Sequence, residues 1–153
     1  QIRTKASMLG VLLRDRRTRA EEQQIREDSI QLLQRMELEQ YARATADSLP
    51  YAAQRRLEIA RALATDPFLL LLDEPAAGMN RQETEELDEL LVELQKEFQL
   101  TILLIEHDMR LVMKISDRII VLDHGRKIAE GPPQEIRQHP EVIRAYLGEQ
   151  AIS

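Results

Sequence analysis

The sequence predicts an α/β protein in which a helical segment precedes a mostly parallel sheet with flanking helices and a C-terminal hairpin. Three observations predict this fold. The first 50 residues contain helical patterns and no convincing strand. Short apolar runs then alternate with helical patterns, at 68–72, 101–106 and 118–122. The tight-turn sequence at 123–125 lets residues 127–130 pair back on the third run as a hairpin.

A long amphipathic helix is predicted over 19–38. Thr18 and Glu21 form a capping-box pattern ahead of apolar residues at helical spacing, which indicates where this helix begins. A shorter helix is expected within 8–13, and another helix over 51–65 leads to the first strand. The region before residue 66 is therefore expected to be entirely helical.

Caps indicate where the next helices begin. Asp47 and Ser48 would cap the helix over 51–65, and Asn80 with Glu83 would start the helix after the first strand. The buried stripe of this later helix is predicted to be Leu87, Leu90, Leu91, Leu94 and Phe98. Shorter helices are expected at 109–115, 134–139 and 141–147.

Composition narrows the class of protein. A chain of 153 residues is the size of one domain, and its net charge of -6 argues against general nucleic-acid binding. It has no cysteine, which excludes disulfides and cysteine-ligated metals and suits a reducing cytoplasm. No apolar stretch reaches the roughly 18 residues that span a bilayer, so we expect membrane association only through a partner.

The most informative segment of the chain is an apolar run followed directly by two carboxylates. Residues 68–72 are too short for a helix and lack polar alternation, which predicts a strand covered on both faces. Asp73 and Glu74 follow directly, and Pro75 ends the strand. Because side chains alternate along a strand, we expect the two carboxylates to have different roles.

These residue types suit nucleotide chemistry. Asp73 would hold Mg²⁺, largely through water, and Glu74 would orient and deprotonate an attacking water. The second strand repeats the design and leads to His107, whose imidazole can donate to a developing phosphate charge. The alternative is a structural strand end with an ordinary polar histidine. His124, in a turn, and His139, before a proline, are expected to be structural or solvent-facing.

Four ordered segments together resemble a known family. LPYAAQRRL at 49–57, LLLLDEP at 69–75, AAGMN at 76–80 and IEHD at 105–108 are similar to the signature motif, Walker B segment, D-loop and switch histidine of ABC-transporter ATPases. Four segments resemble sequences of the ATP-binding subunits of branched-chain amino acid importers: EPAAGMN, IEHDM, SDRIIVLDHG and PEVIRAYLGE. The resemblance implies the C-terminal part of a P-loop NTPase-like domain.

The resemblance also implies roles for matching residues. Asp73 would be the magnesium-site acid, Glu74 the general base, His107 the γ-phosphate sensor and Asn80 a contact to the opposite subunit. The signature would touch ATP bound mainly to the other protomer, through Leu49, Pro50, Tyr51, Ala52, Ala53 and Gln54. The implied parts are a helical subdomain at 1–65, half of the catalytic α/β core at 66–131 and C-terminal helices at 132–153.

The sequence departs from the family in two ways. It contains no G-x-x-x-x-G-K-[ST] loop, so we expect the chain alone to be inactive, with sheet edges and core faces left uncovered. Pro50 stands where the family commonly has serine, and Ala52 where it usually has glycine. A methyl group there would obstruct a close backbone approach to phosphate or restrict the dihedrals, which predicts weaker contact with ATP.

The expected function is ATP binding and hydrolysis that energises an ABC importer of branched-chain amino acids, or of a related solute such as urea or another amide. The expected partners are a second ATP-binding subunit and transmembrane permease subunits, with no nucleic acid, and the expected location is the cytoplasmic face of the inner membrane. Two alternatives stay open: a non-catalytic interaction or regulatory module, and a soluble ABC ATPase not linked to transport.

Overall fold

The computed structural model describes residues 16–147 and confirms the α/β class. The predicted helix within 8–13 lies outside this range. The elements are α1 (Arg16–Arg35), α2 (Tyr51–Leu63), β1 (Leu69–Asp73), α3 (Arg81–Phe98), β2 (Thr101–Ile105), α4 (Met109–Ile115), β3 (Ile119–Asp123), β4 (Arg126–Gly131), α5 (Pro133–Ile136), α6 (Pro140–Val142) and a π-helical turn, Ile143–Leu147. Two 3-10 turns, Glu39–Tyr41 and Ala46–Ser48, connect α1 to α2.

The strands form two separate pairs. β1 and β2 are parallel and in register from Leu69 opposite Thr101 to Asp73 opposite Ile105. β3 pairs with β4 as the predicted antiparallel hairpin. The turn residues His124 and Gly125 both have positive φ, 45° and 76°, as a two-residue hairpin loop requires. A single, mostly parallel sheet was expected. Among the described residues β3 pairs with β4 alone, so the strands form a parallel pair and a separate hairpin.

The α3 helix begins with the predicted capping box. Asn80 Oδ1 accepts from the Glu83 backbone N–H at 3.0 Å, and Glu83 Oε2 accepts from the Asn80 N–H at 2.9 Å. The predicted stripe is buried at Leu87, Leu90, Leu91 and Leu94. Phe98 was predicted to complete the stripe, and this is wrong: it is 40% exposed, because it is the last residue of the helix.

Two predicted caps are wrong. Thr18 is buried within α1, which already includes Arg16, so the helix does not begin at Thr18. Asp47 and Ser48 belong to a 3-10 turn, and Pro50 occupies the N-cap position of α2 without a side-chain cap bond. The fixed φ of proline, here −54°, makes the turn into the helix in place of a capping side chain.

Two hydrophobic clusters hold the described residues together. The larger one joins Met36 and Leu38 after α1 with side chains of α2, β1 and α3, and the smaller one lies under the hairpin around Ile119, Val121 and Ile136. The larger cluster therefore contains residues on both sides of position 65, and the predicted three-part division stays a prediction. No helix in 16–147 is long and apolar enough to cross a membrane.

The parallel pair is covered on one face only. Leu70 and Leu72 are buried in the larger cluster. The opposite face is exposed, and the large apolar side chains on it are Leu69, Leu71, Leu103 and Ile105. The expectation of a strand covered on both faces is therefore wrong, because the helices in the described part of the chain pack on one side. The expectation of uncovered core faces agrees with this structure.

Candidate functional site at the ends of the parallel strands

The parallel register brings Glu74 and His107 together. Asp73 lies opposite Ile105, and the Glu74 N–H continues the ladder by donating to the Ile105 carbonyl at 2.9 Å. Two residues beyond Ile105, His107 places Nδ1 3.2 Å from Glu74 Oε1. The side chains are 74% and 50% exposed, so this pair is open to a ligand.

Glu74 adopts an uncommon backbone conformation. Its φ is 44°, in the left-handed region that a non-glycine residue rarely occupies. The chain turns there, since the Ala77 N–H donates to the Glu74 carbonyl at 3.0 Å. The strand ends at Asp73, so Glu74 lies in the turn that follows, and the expected difference in role between the two carboxylates stays a prediction. Such strain persists where surrounding contacts over-determine the backbone, and it recurs at functional sites.

His107 lies between two carboxylates. Glu106 Oε2 accepts from the His107 backbone N–H at 3.2 Å and lies 3.9 Å from the ring Nδ1. The Glu106 side chain is only 4% exposed, and its Oε1 is buried without a hydrogen-bond partner. No sequence pattern marks this buried carboxylate, because a glutamate after an apolar run looks like any exposed strand end.

Asp108 fixes the other end of this loop by capping α4. Its Oδ1 accepts from the backbone N–H of Arg110 at 2.9 Å and of Leu111 at 3.4 Å. Burial raises the pKa of Asp108, but the hydrogen bonds from Arg110 and Leu111 outweigh burial and leave the pKa below its usual value. The cap is therefore charged near neutral pH.

The predicted signature residues differ in what they can offer a ligand. The side chains of Leu49 and Ala53 are buried in the larger cluster, so they could meet a nucleotide only through backbone atoms. Gln54 is half-buried and donates through Nε2 to the Leu49 carbonyl at 2.9 Å. Pro50 and Tyr51 are exposed. Pro50 and Tyr51 therefore present the most open side chains, and Ala52 and Gln54 are partly accessible.

Ala52 needs no glycine-like backbone here. It is the second residue of α2 and is absent from the described residues with positive φ. The part of the prediction that concerned restricted dihedrals therefore does not apply in this conformation. The methyl group itself is half-buried, so the predicted obstruction to a close phosphate approach stays a prediction.

Tyr51 makes a long-range contact that sequence analysis did not identify. Its hydroxyl donates to the Ala77 carbonyl at 2.8 Å, in the loop between β1 and α3. At the end of this loop the Asn80 side-chain oxygen is engaged in its capping box. Its backbone N–H and carbonyl are bonded within α3 as well, so the predicted contact of Asn80 with an opposite subunit is left to its side-chain amide nitrogen.

The donor set limits what metal could bind. Within residues 16–147, no three or more Asp, Glu or His side chains gather into a metal-binding group. Asp73 offers one exposed carboxylate at the strand end. This fits Mg²⁺, which keeps several waters and takes one or two carboxylates together with substrate phosphates. It does not fit a metal held by protein ligands alone.

Asp88 is a second residue that the sequence did not single out. It lies on α3, is 4% exposed, and its Oδ1 is buried without a hydrogen-bond partner. Burial raises the pKa of Asp88 to about 6; Lys114 opposes this, and Asp108, Glu106 and Glu85 add to it. His124 is exposed in its turn as predicted, and His139 precedes α6 half-buried.

Comparisons with known protein families and with individual proteins identify relatives of this chain. The family described as ABC transporter matches residues 3–77, and the family described as branched-chain amino acid ATP-binding cassette transporter matches residues 126–152. LivG of Salmonella typhimurium, a high-affinity branched-chain amino acid transport ATP-binding protein, is 59% identical over 117 residues, which are 76% of this chain and 46% of LivG. BraF of Pseudomonas aeruginosa, of the same description, is 49% identical over 131 residues, 86% of this chain and 51% of BraF.

Solved structures give the same family. The ADP conformation of an ATP-binding cassette of an ABC transporter matches with a TM-score of 0.72 at 28% identity, over 82% of this chain and 50% of that one. The cbiO1 protein from Clostridium perfringens, part of the ABC transporter complex cbiONQ, matches with a TM-score of 0.71 at 36% identity, over 80% and 49%. The chain spans about half the length of the curated relatives it matches. It belongs to the ABC-transporter ATPase family, and its relatives include ATP-binding proteins of branched-chain amino acid transport.

Proposed function

We propose that this chain contributes the hydrolytic half of the nucleotide site in an ATP-binding subunit of an ABC importer. One observation carries the proposal: Glu74 and His107 lie 3.2 Å apart at the carboxyl ends of two parallel strands, beside Asp73. Ligands of open α/β sheets bind beyond these strand ends. A structural strand end needs neither the exposed acid pair nor the imidazole.

The three side chains would divide the work of hydrolysis. Asp73 would hold a magnesium ion, which would neutralise phosphate charge when bound. Glu74 would orient and deprotonate the attacking water, because phosphoryl transfer depends on positioning and electrostatics. His107 would donate to the γ-phosphate through Nε2, the ring nitrogen that does not face Glu74. Donation to Glu74 and to the phosphate at once needs the doubly protonated imidazolium, because a neutral ring has one N–H. The segment 49–54 would contact ATP bound to a second subunit.

The relatives support a proposal for the solute and the partners. LivG and BraF are described as branched-chain amino acid transport proteins, and residues 126–152 match a family of that description. We propose branched-chain amino acids as the solute, with urea or another amide as the alternative. The partners would be a second ATP-binding subunit and transmembrane permeases, at the cytoplasmic face of the membrane.

A hybrid subunit tests the proposal. In it, the matched segment of LivG is replaced by the corresponding residues of this chain, so that the rest of the domain comes from a relative that is 59% identical. The hybrid subunit should hydrolyse Mg-ATP, and its Glu74→Gln variant should not. A folded hybrid without hydrolysis, or one indifferent to Glu74→Gln, would contradict the proposal and favour a non-catalytic module.

The chain alone should bind Mg-ATP poorly. Its 153 residues contain no G-x-x-x-x-G-K-[ST] loop, whose backbone amides and lysine hold the phosphates. Isothermal titration with Mg-ATP measures this directly. Micromolar affinity would show that other residues of the chain bind the phosphates. It would contradict the proposal that this chain supplies only the hydrolytic half of the nucleotide site.

A further inference from the structure

Tyr51 bridges two segments that the proposed function uses separately. It is the first residue of α2, at the signature segment, and its hydroxyl reaches the loop between β1 and α3 at the Ala77 carbonyl, 2.8 Å away. Ala77 also donates its own N–H to the Glu74 carbonyl at 3.0 Å. One residue, Ala77, therefore joins Tyr51 on one side to Glu74 on the other.

Arg55 holds the phenol in place. One helical turn after Tyr51, its Nε donates to the Tyr51 hydroxyl at 3.0 Å, and its guanidinium lies 5.2 Å from the ring centroid. Arg55 is itself paired with Glu58 at 2.8 Å. The hydroxyl thus accepts from a charged donor while it donates to Ala77, an arrangement in which each bond strengthens the other.

The ring of Tyr51 also packs against Gly78. Gly78 has a φ of 80°, and a Cβ added to it would lie 3.2 Å from Tyr51 Cε1. The loop is closed from within by the Met79 N–H, which donates to the Ala76 carbonyl at 3.1 Å. Tyr51 therefore contacts the loop in two ways, by a hydrogen bond at Ala77 and by close packing at Gly78.

We propose that Tyr51 is a positioning residue that fixes the 74–80 loop, and through it Glu74, against the N-terminal end of α2. The strained backbone of Glu74 needs contacts that over-determine it, and this bridge supplies one of them. Tyr51 then sets the relation between the signature segment and the base; its side chain acts on the loop, not on a nucleotide. This role rests on the proposed function, but the bridge itself does not.

The sequence allows the bridge to be observed at a single atom. Of the five glycines, only Gly78 follows an alanine. Labelling alanine with carbonyl ¹³C and glycine with ¹⁵N therefore gives one carbonyl–amide correlation, which reports the Ala77 carbonyl that accepts the Tyr51 bond. Tyr51→Phe keeps the ring over Gly78 and removes only the hydroxyl, so the Ala77 ¹³C resonance should move upfield while the signal of folded protein is retained.

A matched control exists elsewhere in the chain. The Tyr146 hydroxyl also donates to a backbone carbonyl, that of Leu122, in the other part of the molecule. Tyr146→Phe should leave the Ala77–Gly78 correlation unchanged. An unmoved resonance in Tyr51→Phe, or an equal shift in Tyr146→Phe, would overturn the bridge.

Kinetics of the hybrid subunit separate positioning from nucleotide contact. Tyr51→Phe should lower kcat and leave KM for ATP unchanged, because it disturbs the base and not the binding. A rise in KM at unchanged kcat would overturn the positioning role and assign Tyr51 to the nucleotide. Failure of the hybrid to hydrolyse ATP would count against the proposed function, and the resonance would still decide the bridge.

Discussion

The two loops that carry the catalytic side chains are held in different ways. The loop after β1 has two bonds to distant parts of the chain: the Glu74 N–H donates to β2, and the Ala77 carbonyl accepts from Tyr51 on α2. Like the other loop, it also caps the helix that follows, here through Asn80. The loop after β2 is held mainly by neighbours in sequence. Glu106 accepts from the adjacent His107 N–H, and Asp108 caps the helix that follows it.

This difference indicates that the position of the second loop depends on the first more than the first depends on the second. Glu74 is placed by the fold, through its own bond to Ile105, 31 residues away, and through Ala77, whose carbonyl accepts from Tyr51, 26 residues from Ala77. The 74% exposed imidazole of His107 has one long-range hydrogen bond among the described contacts, and its partner is Glu74. We therefore expect the base to hold the histidine in place more than the histidine holds the base. The following predictions test that order, from the largest effect to the smallest.

Removing the base should have the largest effect. In the hybrid subunit, Glu74→Gln keeps the side-chain shape but cannot take a proton, so kcat should fall by about 10²–10⁴-fold. Phosphate release at saturating Mg-ATP measures this. The control is Glu89→Gln, an exposed glutamate on α3 for which the structure gives no hydrogen bond, and it should retain kcat.

Removing the histidine should cost less. His107→Ala deletes one donor to the developing phosphate charge, and kcat should fall by about 10²-fold. Because the fold places the other loop, the Ala77–Gly78 correlation should stay at its position in this variant. A displaced correlation would reverse the proposed order of dependence.

The buried carboxylate beneath the second loop should make stability depend on pH. The pKa of Asp88 is about 6 in the folded chain, above its ordinary 3.8, so its contribution is fully favourable below pH 4 and is lost as pH rises through 6. Asp88→Asn cannot ionise and should be more stable than wild type by about 1 to 3 kcal/mol at pH 8.

Urea unfolding at several pH values checks this. The difference between Asp88→Asn and wild type should shrink as the pH falls from 7 to 4. A constant difference would mean that Asp88 does not titrate between pH 4 and 7 in the folded chain. Burial would then not raise its pKa as described.

Weakening one end of the first loop should have the smallest effect. Asn80→Ala removes the side-chain half of the capping box and should cost about 1 kcal/mol of folding free energy. Asn80→Ser retains an N-cap acceptor and should cost much less. Equal losses in both variants would mean that the box does not anchor the loop.

Local patterns explain which features the sequence predicted well. The α3 start at Asn80 and Glu83, the bounds 109–115 of α4 and the hairpin turn depend on residues close in sequence, and all three are confirmed. Glu74 and His107 were each predicted at the end of a strand in a mostly parallel sheet, and such strand ends meet at one edge. The chemical roles of both residues stay predictions.

Features that depend on tertiary packing were missed. The bond from Tyr51 to Ala77 and the burial of Asp88 arise from how helices pack on the strands, and no residue-type pattern marks either one. The predicted two-sided burial of β1 failed for the same reason, since an apolar run does not say what covers it. The turn at Glu74 has no signal either, because glutamate is a poor sequence marker for positive φ.

The double variant Glu74→Gln with His107→Ala tests the central claim most directly, since the claim is that the two side chains act as one unit at 3.2 Å. Residues that act as a unit are non-additive when both are removed. The hybrid subunit carrying both changes should therefore hydrolyse Mg-ATP no more slowly than Glu74→Gln alone. A rate at which the two single losses multiply would show that Glu74 and His107 act independently and would contradict the account.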